Sequence, residues 1–212
     1  MTRLRRDLLS MAAVTLQRTY DAVEALLTID VETAKRIRET DIEIDAMEVE
    51  IDEQCHLFFA QHAPVAGDLR FVMVVMRTSS LFERIGDMAK TISSRVIDLH
   101  ARPRIVVPEA LEEMAGAATA MMRNAERALA GQDEQLARQI LRSDDFVDER
   151  YRALVMWFIE QLDEGVDAQA IVDLLSIARS IERLADHSTS IAEAVLFLVG
   201  GRIVRHEQEL ES

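Results

Sequence analysis

One phrase occurs twice in this chain. Leu81-Phe82-Glu83-Arg84-Ile85-Gly86-Asp87 returns as Ser180-Ile181-Glu182-Arg183-Leu184-Ala185-Asp186, 99 residues later. A second pair travels with it: Asp41 and Asp45, four apart, recur as Asp144 and Asp148 at an offset of 103. Two motifs in one order at nearly one offset mark a duplicated unit of about 100 residues. Four residues is close to one helical turn, so each acid pair sets two carboxylates side by side on a single helix face.

The breakers say what each unit is made of. With 7 Gly and 3 Pro in 212 residues, the chain has few places to stop a helix. We expect an all-α protein of six long helices, arranged as two tandem, internally repeated three-helix bundles. The first helix runs from Thr2 to Thr28, and Asp30 caps a second that continues through Gln61. Ala63-Pro64 breaks that helix, and Pro64 opens a third that reaches His100. The fourth covers Glu109 to Ala130 and stops at Gly131. Asp133 caps the fifth, which runs to Glu164-Gly165. Asp167 caps the sixth, stopped by Gly200-Gly201. The units are then 1–102 and 109–200, with a linker at 103–108 and a polar tail at 201–212. Ile37, Ile44, Ile51 and Phe58 stand seven apart with Met47 on the same stripe, which makes a bundle seam. Ile85, Ile92 and Leu99 repeat it on the third helix. Short links favour antiparallel neighbours. The two bundles are related either by a pseudo-two-fold or by screw-like stacking.

Charge narrows the partners. A formal net charge of −14 disfavours nucleic acid and anionic lipid and favours cations or basic surfaces. No apolar run is long enough to span a bilayer, and the start lacks an Ala-x-Ala cleavage site, so we expect no membrane insertion. The single cysteine, Cys55, excludes an internal disulfide and fits a reducing cytoplasm.

The acids are the candidate chemistry. Asp41, Asp45, Glu48 and Asp52 fall within a stripe roughly 60° wide on the second helix. Glu39 to Glu53 holds eight acids and no Lys or Arg. Glu182, Asp186 and Glu193 repeat the i, i+4, i+11 geometry on the sixth helix. Like charges one turn apart repel by a few tenths of a kcal/mol per pair. A solvated acidic face accounts for any one pair. Equivalent placement in two repeats points instead to neutralisation by bound cations or a partner's arginines. Carboxylate ligands suit Mg²⁺, Mn²⁺, Ca²⁺ or ferric iron better than a closed tetrahedral zinc site. Arg84 and Arg183 point about 100° away from the motif glutamates, and we expect each to pair with a neighbouring helix. Gly86 and Ala185 are small enough to permit close helix approach or ligand access.

Other chemistry is thin. The one Glu-x-x-His, Glu53 to His56, has Met156 and Ile159 at the repeat positions, so a di-iron set is incomplete. His187 could reach a site edge, while His62, His100 and His206 suit helix ends. Cys55 reads as core, as do Met73, Met76, Met121, Met122 and Met156.

The chain resembles the PhoU family, the accessory or regulatory proteins of phosphate-specific transport. The likeness is carried by DIEIDAMEVEIDEQC (Asp41 to Cys55), PVAGDLR (Pro64 to Arg70), LFERIGD (Leu81 to Asp87), SIERLAD (Ser180 to Asp186) and the ending Val204-Arg205-His206. Ala185 departs from the family's usual glycine but stays small. The resemblance implies two tandem three-helix bundles and, in some members, metal clusters held by acid-xxx-Asp pairs. Here those are Asp41/Asp45, Glu83/Asp87, Asp144/Asp148 and Glu182/Asp186, with Glu48, Asp52 and Glu193 as further ligands. The ions implied are iron, manganese, magnesium or zinc. It also implies a non-enzymatic repressor of phosphate uptake and of the phosphate-starvation response, acting when phosphate is plentiful. Its partners would be the phosphate ABC transporter, through its ATPase, and a membrane sensor histidine kinase. A homodimer is compatible with that role, and the setting is cytoplasmic, peripheral to the inner membrane face through partners. Two rivals stand beside it: a carboxylate-bridged metalloenzyme (a di-iron oxidase or metal-dependent phosphohydrolase), and a structural helical oligomer with a solvated acidic face.

Overall fold

The structure, a computed structural model, describes residues 1–102 and 106–201. The first half of the expected linker and the polar tail from 202 onward, with the ending Val204-Arg205-His206, lie outside the described residues. Among the described residues every regular element is helical: α1 Thr2–Thr28, α2 Val31–Glu39, α3 Ile42–His62, α4 Ala66–His100, α5 Glu109–Gly131, α6 Glu134–Asp163 and α7 Ala168–Gly200.

Local chemistry sets these boundaries. The Asp30 carboxylate accepts from the Glu32 and Thr33 amides, Asp133 from Leu136, and Asp167 from Gln169 and Ala170. Each satisfies amide donors that a helix start leaves without carbonyl partners. Gly201 ends α7 in the left-handed region at φ 67°, its amide donating to the Phe197 carbonyl. At the end of α5 the left-handed residue is not Gly131 but Gln132, with φ 52°. The helix keeps Gly131 as its last residue and turns one position later than expected.

The expected second helix is divided in two, α2 and α3. At Thr40–Asp41 the ladder tightens: the Glu43 amide donates to the Thr40 carbonyl and the Ile44 amide to that of Asp41, both three residues back. The Thr40 hydroxyl donates to the Arg36 carbonyl at 3.0 Å, a local bond that competes with a regular helix. Asp41 is drawn inward, 6 % exposed, where Lys90 of α4 donates to it. A salt contact and a threonine back-bond therefore interrupt a helix whose side-chain period runs through the break.

The seam survives that interruption. Ile37, Ile44, Ile51, Ile85, Ile92 and Leu99 are all buried, and Met47 and Phe58 pack at the edge. Cys55 is fully buried and its thiol is pushed up to about 11, chiefly by burial, so it is inert packing. Met121 and Met122 are core as expected, but Met73 and Met156 lie half-exposed on α4 and α6. Gly86 sits under Ile44: a Cβ there would stand 2.9 Å from Ile44 Cδ1. Its smallness serves helix approach. In the second repeat Val147 and Ala185 hold the equivalent positions, and both are buried.

The first bundle is α1, α2–α3 and α4; the second is α5, α6 and α7. They join where α4 packs on α7 and α1 on α5. Equivalent helices thus meet each other, the pattern of an isologous, pseudo-two-fold arrangement rather than head-to-tail stacking. One hydrophobic cluster runs through both halves. Polar bonds fasten the joint. Asp173, buried on α7, accepts from Arg102 at 2.8 Å and Arg95 at 3.4 Å. Arg77 of α4 reaches Glu193 of α7 at 2.9 Å, and Arg5 donates to the Ala130 carbonyl at the end of α5 at 2.7 Å.

Candidate functional site

The acid pairs of each repeat converge. In the first, α3 presents Asp45 and Glu48 toward Glu83 and Asp87 of α4, with Asp52 beside Glu48 on α3. The electrostatics register this directly. The Glu83 carboxyl lies above its usual range through burial first, then through the charges of Asp87, Glu48 and Asp45. Asp87 is raised by burial and by Asp41 and Asp45. Glu48 is raised by burial, with Asp52 and Asp45 adding to it and a hydrogen bond with Ser80 opposing. Each of these shifts means that the ionised form is held in a place that disfavours it.

In the second repeat, Asp144 and Asp148 of α6 face Glu182 and Asp186 of α7. Asp144 is pushed up to about 6 by burial and by the charges of Asp186, Asp148, Asp145 and Glu182. Glu182 and Asp186 are raised as well, by burial and then by neighbouring acids. Asp148 carries one local partner, Arg152, at 3.1 Å.

The two faces are not electrically alike. Lys90 enters the first from α4, pairing with Asp41, and its ammonium is held above its usual range by that hydrogen bond. The residue at the equivalent position of the second repeat is Thr189, which supplies no charge. Asp41 therefore has a resident cation, and Asp144 has none among the described residues.

Two expectations change. Glu193 shares the helical register of Glu182 and Asp186, but its carboxylate accepts from Arg77 across the repeat joint, and it is not among the charges that raise its neighbours. Among the described residues Arg84 and Arg183 form no ion pair with a neighbouring helix, although the charge of Arg84 opposes the rise of Glu48 and Glu83 and that of Arg183 the rise of Glu182 and Asp186. Both are exposed and both face the α4–α7 joint, where they press on the same imidazole. Burial, then Arg183 and Arg84, hold His187 neutral with its value lowered to about 4. Sequence spacing could place these arginines off the acid face, but only the packing of α4 on α7 shows that they meet.

The carboxylates are hard oxygen donors with excess negative charge, and that donor set fits a hard cation. As the side chains stand, no three acidic, histidine or cysteine groups among the described residues form a cluster that could hold a metal ion. The faces are open, charged surfaces rather than closed cages.

A duplicated all-α bundle with one acidic face per repeat is the class of protein that this geometry defines. The PhoU domain profile matches residues 8–96 and again 111–195. The chain belongs to the PhoU family. It is 34% identical over 209 residues to the phosphate-specific transport system accessory protein PhoU homolog of Pseudomonas aeruginosa, covering 96% of this chain and 85% of that one. It is 31% identical over 204 residues to the protein of Escherichia coli K12 described as phosphate-specific transport system accessory protein PhoU, covering 96% and 85%. The crystal structure of PhoU from Pseudomonas aeruginosa superposes with a TM-score of 0.91 at 30% identity over 95% of this chain and 97% of that one. The phosphate transport system regulatory protein PhoU from Streptococcus pneumoniae gives 0.89 at 27% identity, over 96% of each.

Proposed function

We propose that this chain is a non-enzymatic regulator of phosphate uptake. It holds back a phosphate ABC transporter and the phosphate-starvation two-component response when phosphate is plentiful. The observation that carries the reading is the pair of matching acidic faces in a chain that belongs to the PhoU family over nearly its whole length. The relatives' description as accessory proteins of phosphate-specific transport supports the pathway. Docking is on partners, the transporter's ATPase and a membrane sensor kinase, at the cytoplasmic face. No helix among the described residues is long and apolar enough to cross a membrane. With a net charge of −14, recruitment is through a partner's basic surface or a bridging cation rather than through anionic lipid.

The metal-binding residues in this reading are Asp41, Asp45, Glu83 and Asp87 in the first repeat, and Asp144, Asp148, Glu182 and Asp186 in the second. Glu48 and Asp52 flank the first set. A bound ion would supply the positive charge that the raised carboxyls lack, and would lend the surface a coordination position for a partner's acid. The openness of the faces favours a second reading, in which they are solvated and meet a partner's arginines directly. Elemental analysis of protein purified without added metal separates the two: more than one iron, manganese or zinc per chain supports ligation.

The decisive experiment neutralises Glu83, Asp87, Glu182 and Asp186 together as Gln and Asn. The variant is expected to keep its helical circular dichroism and to lose repression, so that starvation genes run in high phosphate. Normal repression by a folded variant would refute the role given to these residues.

A further inference from the structure

The joint between α4 and α7 contains an open groove of about 470 Å³, lined by Arg84, Lys90, Arg179 and Arg183, with Asp87 as the one acid on its wall among the described residues. In a chain of net charge −14 this is a basic concavity. Arg84 and Arg183 are the motif arginines of the two repeats, brought opposite one another by the pseudo-two-fold joint. Arg179 has no basic counterpart, since Ser80 stands at that position of the first repeat.

Arginines elsewhere in the joint are spoken for: Arg77 pairs with Glu193, and Arg95 and Arg102 share Asp173. Among the described residues Arg84, Arg179 and Arg183 form no ion pair and no hydrogen bond, while Lys90 is held by Asp41. The hydroxyls of Thr91 and Ser180 donate to carbonyls of their own helices. The free donors of the groove are therefore three guanidiniums, whose planar forks match tetrahedral oxyanions in pairs of hydrogen bonds. Among the described residues no aromatic ring lines the groove, which therefore offers no platform for a nucleobase.

We propose that this groove binds a phosphoryl oxyanion, gripped between the motif arginines of the two repeats, with inorganic orthophosphate as the simplest ligand. The volume exceeds one orthophosphate, which leaves room for its hydration or for a longer phosphoryl chain. The proposal deepens the regulatory reading by naming a ligand. It rests on that reading only in preferring phosphate to other tetrahedral anions.

The test uses the full chain stripped of metal by chelation, so that phosphate cannot be retained through an ion on the acid faces. Orthophosphate, tripolyphosphate and ATP are titrated separately by calorimetry and by ³¹P line width. The groove variant R84Q/R179Q/R183Q is compared with K35Q/R36Q/R138Q, which removes the same charge from the outer surface. Orthophosphate that binds the parent and the control alike, and the groove variant about tenfold more weakly or worse, establishes the site with free phosphate as its source. Binding of only the two longer ligands, lost in the same variant, establishes the oxyanion groove with a phosphorylated molecule as its source. No binding by the parent, or equal weakening in groove and control variants, overturns the proposal. Because neither transporter nor kinase is present, either result is independent of whether the chain represses phosphate uptake.

Discussion

Replacing Asp144 by Asn is expected to stabilise the metal-free protein at neutral pH. Its carboxyl is pushed up to about 6 in the fold from a reference value of 3.8. A group whose value is raised by folding holds more protons in the native state than in the unfolded chain across that window. Stability therefore falls as pH rises from about 4 to 6, and above 6 the full penalty is present. A rise of that size corresponds to about 3 kcal/mol as an upper bound. Because the side chain is only partly buried and water screens it, about 1–2 kcal/mol is the realistic gain for Asp144→Asn. In a chain of this size that amounts to a rise in Tm of roughly 2–8 °C. The assay is urea denaturation of both proteins in chelator, from pH 3.5 to 8. Titrating groups away from this face cancel in the difference between the two, and the acids coupled to Asp144 (Asp148, Glu182 and Asp186) add to it in the same sense. The curves should meet near the acid end and part through pH 4–6, with the variant above. Saturating Mn²⁺ should then lift the parent more than the variant, since ligand binding to the native state adds stability. A variant that is no more stable at pH 7.5, or a difference that does not change with pH, would refute the electrostatic account of the second face.

On the first face the resident cation is the test. Lys90→Met leaves buried Asp41 without its cation and is expected to destabilise by about 1–3 kcal/mol at pH 7, measured by the same denaturation. Asp173→Asn weakens both arginine contacts at the joint, and we expect a loss of about 2–4 kcal/mol together with faster amide exchange along the α4–α7 contact. Gln132→Gly relieves a left-handed residue on an exposed turn and should add about 0.5–1 kcal/mol; a loss would mean that the glutamine side chain does unseen work there.

What the sequence revealed follows the range of the forces involved. Caps and seams are local, so Asp30, Asp133 and Asp167 could be read as helix starts, and the isoleucines seven apart as the core. The acid faces were legible because one helical turn fixes which side chains share a side, and duplication marked them twice. The division at Thr40–Asp41 was not, because Lys90, some fifty residues on, draws Asp41 inward. Glu193 shows the same limit. Its helical register agrees with Glu182 and Asp186, yet its carboxylate is claimed by Arg77 from the other repeat. Arg84 and Arg183 could be placed off the acid face, but their meeting depends on which helices form the joint. Periodicity assigns a side chain to a face, and only tertiary packing decides what that face meets.

The contact of Gly86 with Ile44 bears on how such a duplication is recognised at all. In the second repeat alanine stands where the first has glycine and valine where it has isoleucine: one carbon more on one helix and one fewer on the other. The quantity kept between the two copies is the volume of the pair. Divergence at such a contact moves in compensated steps, so a search that demands the glycine would discard the second copy, whereas one that weighs facing positions together would retain it. At this contact the two repeats differ residue by residue yet match in the sum of the facing side chains.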